Sequence, residues 1–256
     1  KATDDTYIDI ISELIKQQKI DIVIPSSEHE IAVLQKNIHK IHAEIIICDA
    51  PTFEICNDKF TTINFLKTHS LPFPETHLIE EKVAPMIPCI IKDRTGSGSK
   101  AVMFIPDIDL YNYYSKINKT SIWQEYLSGD DSEYTCGVFR SKSGVLRTII
   151  FKRKLSGGFT NKGEVIHDPK INDLLISVAN KLNLCGCINV QLRKIGDVPM
   201  IFEINPRFSS TVVFRHLLGF QDLIWSIRDK LHIELDEYIP VKQNIKFCVM
   251  PNQYIL

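Results

Sequence analysis

The chain has 256 residues, 44% of them hydrophobic and 24% charged, enough apolar material for the core of one or two domains. Its net charge of −1 leaves no electrostatic footprint for DNA or RNA, which argues against nucleic-acid partners. No apolar run approaches the roughly 18 residues of a membrane span, and no signal peptide is visible, so a cytoplasmic protein off the membrane is expected.

Apolar residues at helical spacing (Ile8, Ile11, Leu14, Ile15) predict a helix over residues 7–17. A short buried strand at 21–25, a helix at 28–38 and a strand at 44–48 follow. Helix–strand–helix–strand is the rhythm of a parallel α/β layer. It opens on a helix and without a methionine, so a first strand, and with it an upstream part, is expected to be missing. Asn57 is placed to cap a helix over 58–68, which Leu71-Pro72-Phe73-Pro74 ends.

From residue 76 the texture changes to short β runs at 76–79, 88–92, 101–105, 121–126, 133–139 and 145–151. A helix at 107–117 interrupts them. A helix at 172–182, strands at 187–195 and 199–203, and a helix at 220–231 complete the pattern. Seven cysteines, an odd number with no Cys-x-x-Cys pair, lie partly in apolar runs, so buried free thiols are expected rather than disulfides or zinc.

Glu203-Ile204-Asn205-Pro206-Arg207 ends the 199–203 strand. A period of two aims Glu203 and Asn205 at one side. Two hard oxygen donors suit Mg²⁺ completed by phosphate oxygens, and the Arg207 fork suits phosphate. A solvated Asn-Pro turn is the other reading of these residues. The string Gly96-Ser97-Gly98-Ser99-Lys100-Ala101 has dinucleotide-like spacing, but a strand follows it where that motif needs a helix. Between two strands it suits a flap whose backbone N–H groups lie over phosphates, or an ordinary hairpin. Lys92, directly after an apolar strand, would be costly to bury without an anion.

Lys92 with its glycine loop, the hinge Gln124-Glu125-Tyr126-Leu127, the segment from Gly129 to Thr135 and Glu203 to Arg207 stand in the order of an ATP-grasp enzyme. The chain resembles in particular the branch typified by the large subunit of carbamoyl-phosphate synthase. The resemblance implies an α/β (α+β) ATP-grasp fold: a partial Rossmann-like layer over 1–56, then an ATP-grasp domain over 57–256. Its first lobe would span 57–127, and its second lobe, with the metal site, 128–256. ATP would meet Lys59, Lys92, Gly96, Ser97, Gly98 and Ser99 at its phosphates. Gln124, Glu125, Tyr126 and Leu127 would lie at adenine, and Glu133 at the ribose. Around Glu133 the segment runs about one residue longer than the family's, which leaves Asp131 as the alternative, and Asp93 stands where the family often has proline.

Gln191, Glu203 and Asn205 would hold Mg²⁺ (or Mn²⁺), with Gln191 facing Glu203 from a neighbouring strand. Arg207, Asn189 and Arg153 would act on the transferred groups. The implied reaction passes the γ-phosphate of ATP to a carboxylate and then joins the acylphosphate to an amine. ATP, a small carboxylic acid and an amine are therefore the expected partners, and a homo-oligomer is compatible with them. An ATP-binding or regulatory module without turnover, and a kinase-like domain that stops at an acyl or carbamoyl phosphate, are the alternatives. Specificity would come from the early layer and from loops near 156–164 and 209–215, with bicarbonate, an amino acid or a sugar acid as the acid.

Overall fold

The computed structural model describes residues 1–96, 102–128 and 133–249. The chain begins with α1 (Tyr7–Gln18), β1 (Ile22–Val23), α2 (Glu28–Lys36) and β2 (Glu44–Ile45). The Ser27 hydroxyl accepts from Glu30 N–H while the Glu30 carboxylate reaches back to Ser27 N–H, a reciprocal cap that fixes where α2 starts. β1 and β2 pair in parallel, Ile22 opposite Glu44, over a small core of Ile8, Ile15, Leu34, Ile41 and Ile45. Both strands are shorter than expected, because only two residues of each meet in register.

Helix α3 (Ala50–Cys56) is one that periodicity did not reveal. Its signal is chemical: the Asp49 carboxylate accepts from Thr52 N–H at 2.9 Å, and Pro51 occupies the first turn. Helix α4 (Lys59–Thr68) is capped by Asp58 rather than by Asn57. The Asp58 carboxylate accepts from the N–H groups of Phe60 and Thr61, while Asn57 only closes α3.

Residues 76–125 build a four-stranded antiparallel sheet from β3 (Thr76–Leu78), β4 (Cys89–Lys92), β5 (Val102–Ile105) and β6 (Ile122–Glu125). The order is β3-β6-β4-β5, with α5 (Ile108–Ile117) packed on it. Cys89, Ile91, Ile105, Tyr111 and Trp123 form its core. The expected first lobe divides between two cores, since α4 packs on the other, larger sheet through Ile63 and Leu66.

That larger sheet contains β7 (Glu133–Arg140), β8 (Leu146–Ser156), β9 (Phe159–Val165), β10 (Gly186–Ile195), β11 (Val198–Asn205) and β12 (Lys246–Cys248). Its order is β11-β10-β7-β8-β9-β12, antiparallel throughout. The region around 156–164, expected as a loop, is a hairpin. Gly157 (φ 59°) and Gly158 (φ 82°) make its two-residue turn, and Ser156 faces Phe159. The polar sequence of β9 hid it from a pattern search. Helices α6 (Pro169–Lys181), α7 (Val212–Leu217) and α8 (Asp222–Lys230) complete the chain.

Strand alternation gives the large sheet two different faces. One is apolar: Tyr134, Cys136, Val138, Ile188, Val190, Ile201 and Ile204 pack with α6, α3 and α4. The other is apolar only at one end, where Phe139, Phe151 and Cys187 meet Phe220 and Trp225. Its remaining length carries Glu133, Thr135, Arg153, Asn189, Gln191, Glu203 and Asn205. All seven cysteines are free thiols, five of them buried. No helix among the described residues is long and apolar enough to cross a membrane.

A candidate phosphate and metal site between the two sheets

The register of β10 and β11 sets Gln191 opposite Glu203 and Asn189 opposite Asn205, so three amides and one carboxylate share a small patch. Asn189 is fully buried, and its Oδ1 accepts from Thr135 Oγ1 at 3.0 Å. Asn205 is buried as well, and its Nδ2 has no hydrogen-bond partner among the described residues. A buried amide atom left unpaired is costly alone and is relieved by a bound ligand.

Two lysines reach this patch, Lys92 from the small sheet and Lys59 from the start of α4. Lys92, on β4 and 5% exposed, donates to Gln124 Oε1 at 2.8 Å and to the backbone oxygen of Phe202 on β11 at 3.2 Å. Burial brings its ammonium down to about 8; nearby Glu203 opposes that shift and Lys59 adds to it. Lys59 lies 3.6 Å from Glu203 Oε1 and donates to Gly96 O at 2.8 Å. Its helix start is pinned by Asp58, whose carboxylate takes the Arg94 guanidinium at 2.6 Å, while Lys59 N–H donates to Arg94 O. Burial alone would raise the Asp58 carboxyl, but the Arg94 hydrogen bond and the N–H groups of Phe60 and Thr61 outweigh it and hold it low.

A second charged network borders the first. Glu133 accepts from Arg153 Nη2 at 2.7 Å on one oxygen and from Arg193 Nη2 at 2.7 Å on the other. Arg153 also donates to Gln191 Oε1 at 2.8 Å and to Thr160, and Arg193 reaches Leu127 O at 3.3 Å. Both Glu133 oxygens are thus engaged inside the protein. At the hinge, Gln124 spends its side chain on Lys92 and Thr76, and Glu125 N–H donates to Glu75 O. Tyr126 meets Phe104 edge to face. The Glu125 N–H is thus engaged within the protein, leaving an adenine edge to other backbone groups of the hinge. Arg207 lies beyond β11, with Nε on Glu28 Oε1 at 2.6 Å and Nη1 on Phe208 O. Ser97, Gly98, Ser99 and Asp131 lie outside the described residues.

Arg94, Arg193 and Glu28 escaped the sequence reading. Arg94 stands two residues beyond Lys92, a hint of a second cation there; Glu28 is 179 residues from its partner and gives no local signal. Beneath the patch, fully buried Arg215 lies 2.9 Å from Asp222, with Nη1 3.4 Å from Asn189 Oδ1. Burial pushes the Asp222 carboxyl up, although Arg215 opposes it.

Among the described residues no three His, Cys, Asp or Glu groups cluster as a metal cage. One carboxylate with amide oxygens beside it instead fits a hard ion such as Mg²⁺ that arrives with phosphate ligands of its own, while the unpaired Asn205 Nδ2, a donor, suits a phosphate oxygen.

A family model described as an ATP-grasp domain matches residues 56–211, more than half of the chain. The chain belongs to the ATP-grasp family. A tyramine–L-glutamate ligase of Methanocaldococcus jannaschii is 23% identical over 207 residues, 79% of this chain and 60% of that protein. The chain therefore spans less than two thirds of that relative's length. N5-carboxyaminoimidazole ribonucleotide synthetase of Thermus thermophilus superposes with a TM-score of 0.74 at 12% identity, covering 95% of this chain and 69% of that one. The biotin carboxylase domain of Hydrogenobacter thermophilus 2-oxoglutarate carboxylase, solved with MgADP and bicarbonate, gives 0.75 at 14%, covering 94% and 61%. These likenesses show the fold: two α+β lobes of ATP-grasp topology.

Proposed function

We propose that this chain uses ATP to phosphorylate a carboxylate, bicarbonate included, giving ADP and an acylphosphate or carboxyphosphate. A carboxylate oxygen attacks the γ-phosphorus, the bond from that phosphorus to the β–γ bridging oxygen breaks, and ADP leaves with the electron pair. The observation that carries the reading is the pair of lysines, Lys92 from the small sheet and Lys59 from the start of α4, meeting the strand of Glu203. Bringing one anion up to a polyanion needs such cations, and positioning with electrostatics is most of what phosphoryl transfer asks of a protein.

In this reading residues 57–256 are the ATP-grasp unit, with 1–56 as a preceding layer. Lys59 and Lys92 bind phosphates, Gly96 to Ser99 closes over them, and Gln124 to Leu127 lines the adenine. Gln191, Glu203 and Asn205 would hold Mg²⁺, which when bound screens the phosphate charge. Asn189 and Arg207 would face the transferred groups. Arg153 and Glu133 support Gln191 from behind, and a ribose role for Glu133 would require it to share oxygens now held by two arginines. Transfer of the activated acyl group to an amine, with release of phosphate, is the second step. What favours it is the name of the sequence relative, a carboxylate–amine ligase; the structural relatives' names favour bicarbonate as the acid.

The test is ATP-dependent ADP formation with Mg²⁺ in the presence of bicarbonate or L-glutamate, with hydroxylamine added to trap an acylphosphate. Acid-dependent ADP formation that disappears in Glu203→Gln supports the proposal. ATP binding without acid-dependent turnover would defeat it in favour of a binding module.

A further inference from the structure

Glu28 belongs to the N-terminal layer and is 179 residues from Arg207 in sequence, yet its carboxylate takes Arg207 Nε at 2.6 Å. The pair is largely shielded from water, the side chains being 10% and 16% exposed. Phe208 O holds Nη1, and among the described residues Nη2 has no partner. The guanidinium is thus clamped on two nitrogens and open on the third. A pair of this kind is stronger and more directional than an exposed one.

Glu28 is itself held. It is the first residue of α2, whose N-terminus favours a carboxylate and whose start is locked by the Ser27–Glu30 cap. The layer is fastened to the large sheet beside it. Asp49 N–H donates to Cys185 O, Cys185 N–H donates to the Asp49 carboxylate at 2.9 Å, and Cys48 Sγ lies 3.7 Å from Pro206 O. Gly186 has φ 109°, and a Cβ there would stand 3.0 Å from Cys48 Cα, so the two backbones approach as closely as only glycine permits. These contacts fasten the layer to the large sheet beside Arg207.

We infer that Glu28 is a positioning residue for phosphate transfer: it holds the Arg207 guanidinium for the γ-phosphate, making the N-terminal layer part of the site. This rests on the proposed function, in which Arg207 meets the transferred phosphoryl group. Glu28 acts on the phosphate through Arg207.

The experiment is a double-mutant cycle in the full chain with Glu28→Ala, Arg207→Ala and both, plus Glu28→Gln. Calorimetry measures the Kd of MgADP and of a non-hydrolysable MgATP analogue, and thermal unfolding is followed in parallel. Glu28→Ala should lower the preference for the triphosphate about tenfold, the scale of one hydrogen bond to a charged group. The MgADP Kd should change less than about twofold, since that nucleotide lacks the phosphate in question. Glu28→Gln should recover most of the loss, because its amide oxygen still accepts from Nε. The double variant should be no worse than Arg207→Ala alone.

Effects that multiply, a preference that rises, or a fall in Tm with the preference unchanged would overturn the inference while leaving the proposed function standing. An Arg207→Ala chain that keeps the wild-type preference would refute the phosphate role of Arg207, and this inference with it.

Discussion

Lys92 offers a quantitative check on the site without any substrate. Burial lowers its ammonium from 10.5 to about 8 in the folded chain, whereas the unfolded chain keeps the ordinary value. Between those two values the unfolded chain binds more protons, so stability rises with pH. The folding penalty is fully present below the folded value and disappears as pH approaches the unfolded one. At 1.36 kcal/mol per pKa unit it is about 3 kcal/mol at pH 7, and about 2 kcal/mol of that is gone by about pH 9.5.

Lys92→Met keeps roughly the same volume and removes the titration. Its constant losses, chiefly the bond to Gln124, are the same at both pH values and cancel. Urea unfolding of both chains should therefore show the wild type gaining about 2 kcal/mol on the variant between the two pH values. A difference that stays flat would refute the reading of Lys92 as a buried ammonium awaiting an anion.

Two further substitutions probe the neighbouring networks. Glu133→Gln leaves Arg153 and Arg193 without their shared countercharge and should cost about 3 kcal/mol or more in the same unfolding assay. A loss under about 1 kcal/mol would mean that water already screens the group. Gly137→Ala places a Cβ 2.7 Å from Arg215 Nη1 and 2.8 Å from its Cδ, against a side chain that is fully buried and paired with Asp222. A cost of about 1–3 kcal/mol is expected from the same unfolding assay; a neutral result would show that Arg215 can move aside.

Most element positions were legible where periodicity was strong. β10 and β11 fall within a few residues of expectation, and the register sets Gln191 opposite Glu203, as the family resemblance implied. The misses have separate causes. α3 is too short to show a period and is announced only by Asp49 and Pro51. β9 is a polar strand whose signal lies in its Gly157-Gly158 turn. α4 reads correctly as a helix, yet nothing local says that it packs on the large sheet.

The sequence by itself determined the order of the blocks and the oxygen donors on one strand face, because those depend on residue type and short spacing. Tertiary structure alone decided the partners of each charge. Glu28 on Arg207, Arg153 and Arg193 on Glu133, and Lys92 on Phe202 O join segments from 20 to 179 residues apart. Those pairings come from how two sheets and an N-terminal layer pack, and a local pattern carries no record of that packing.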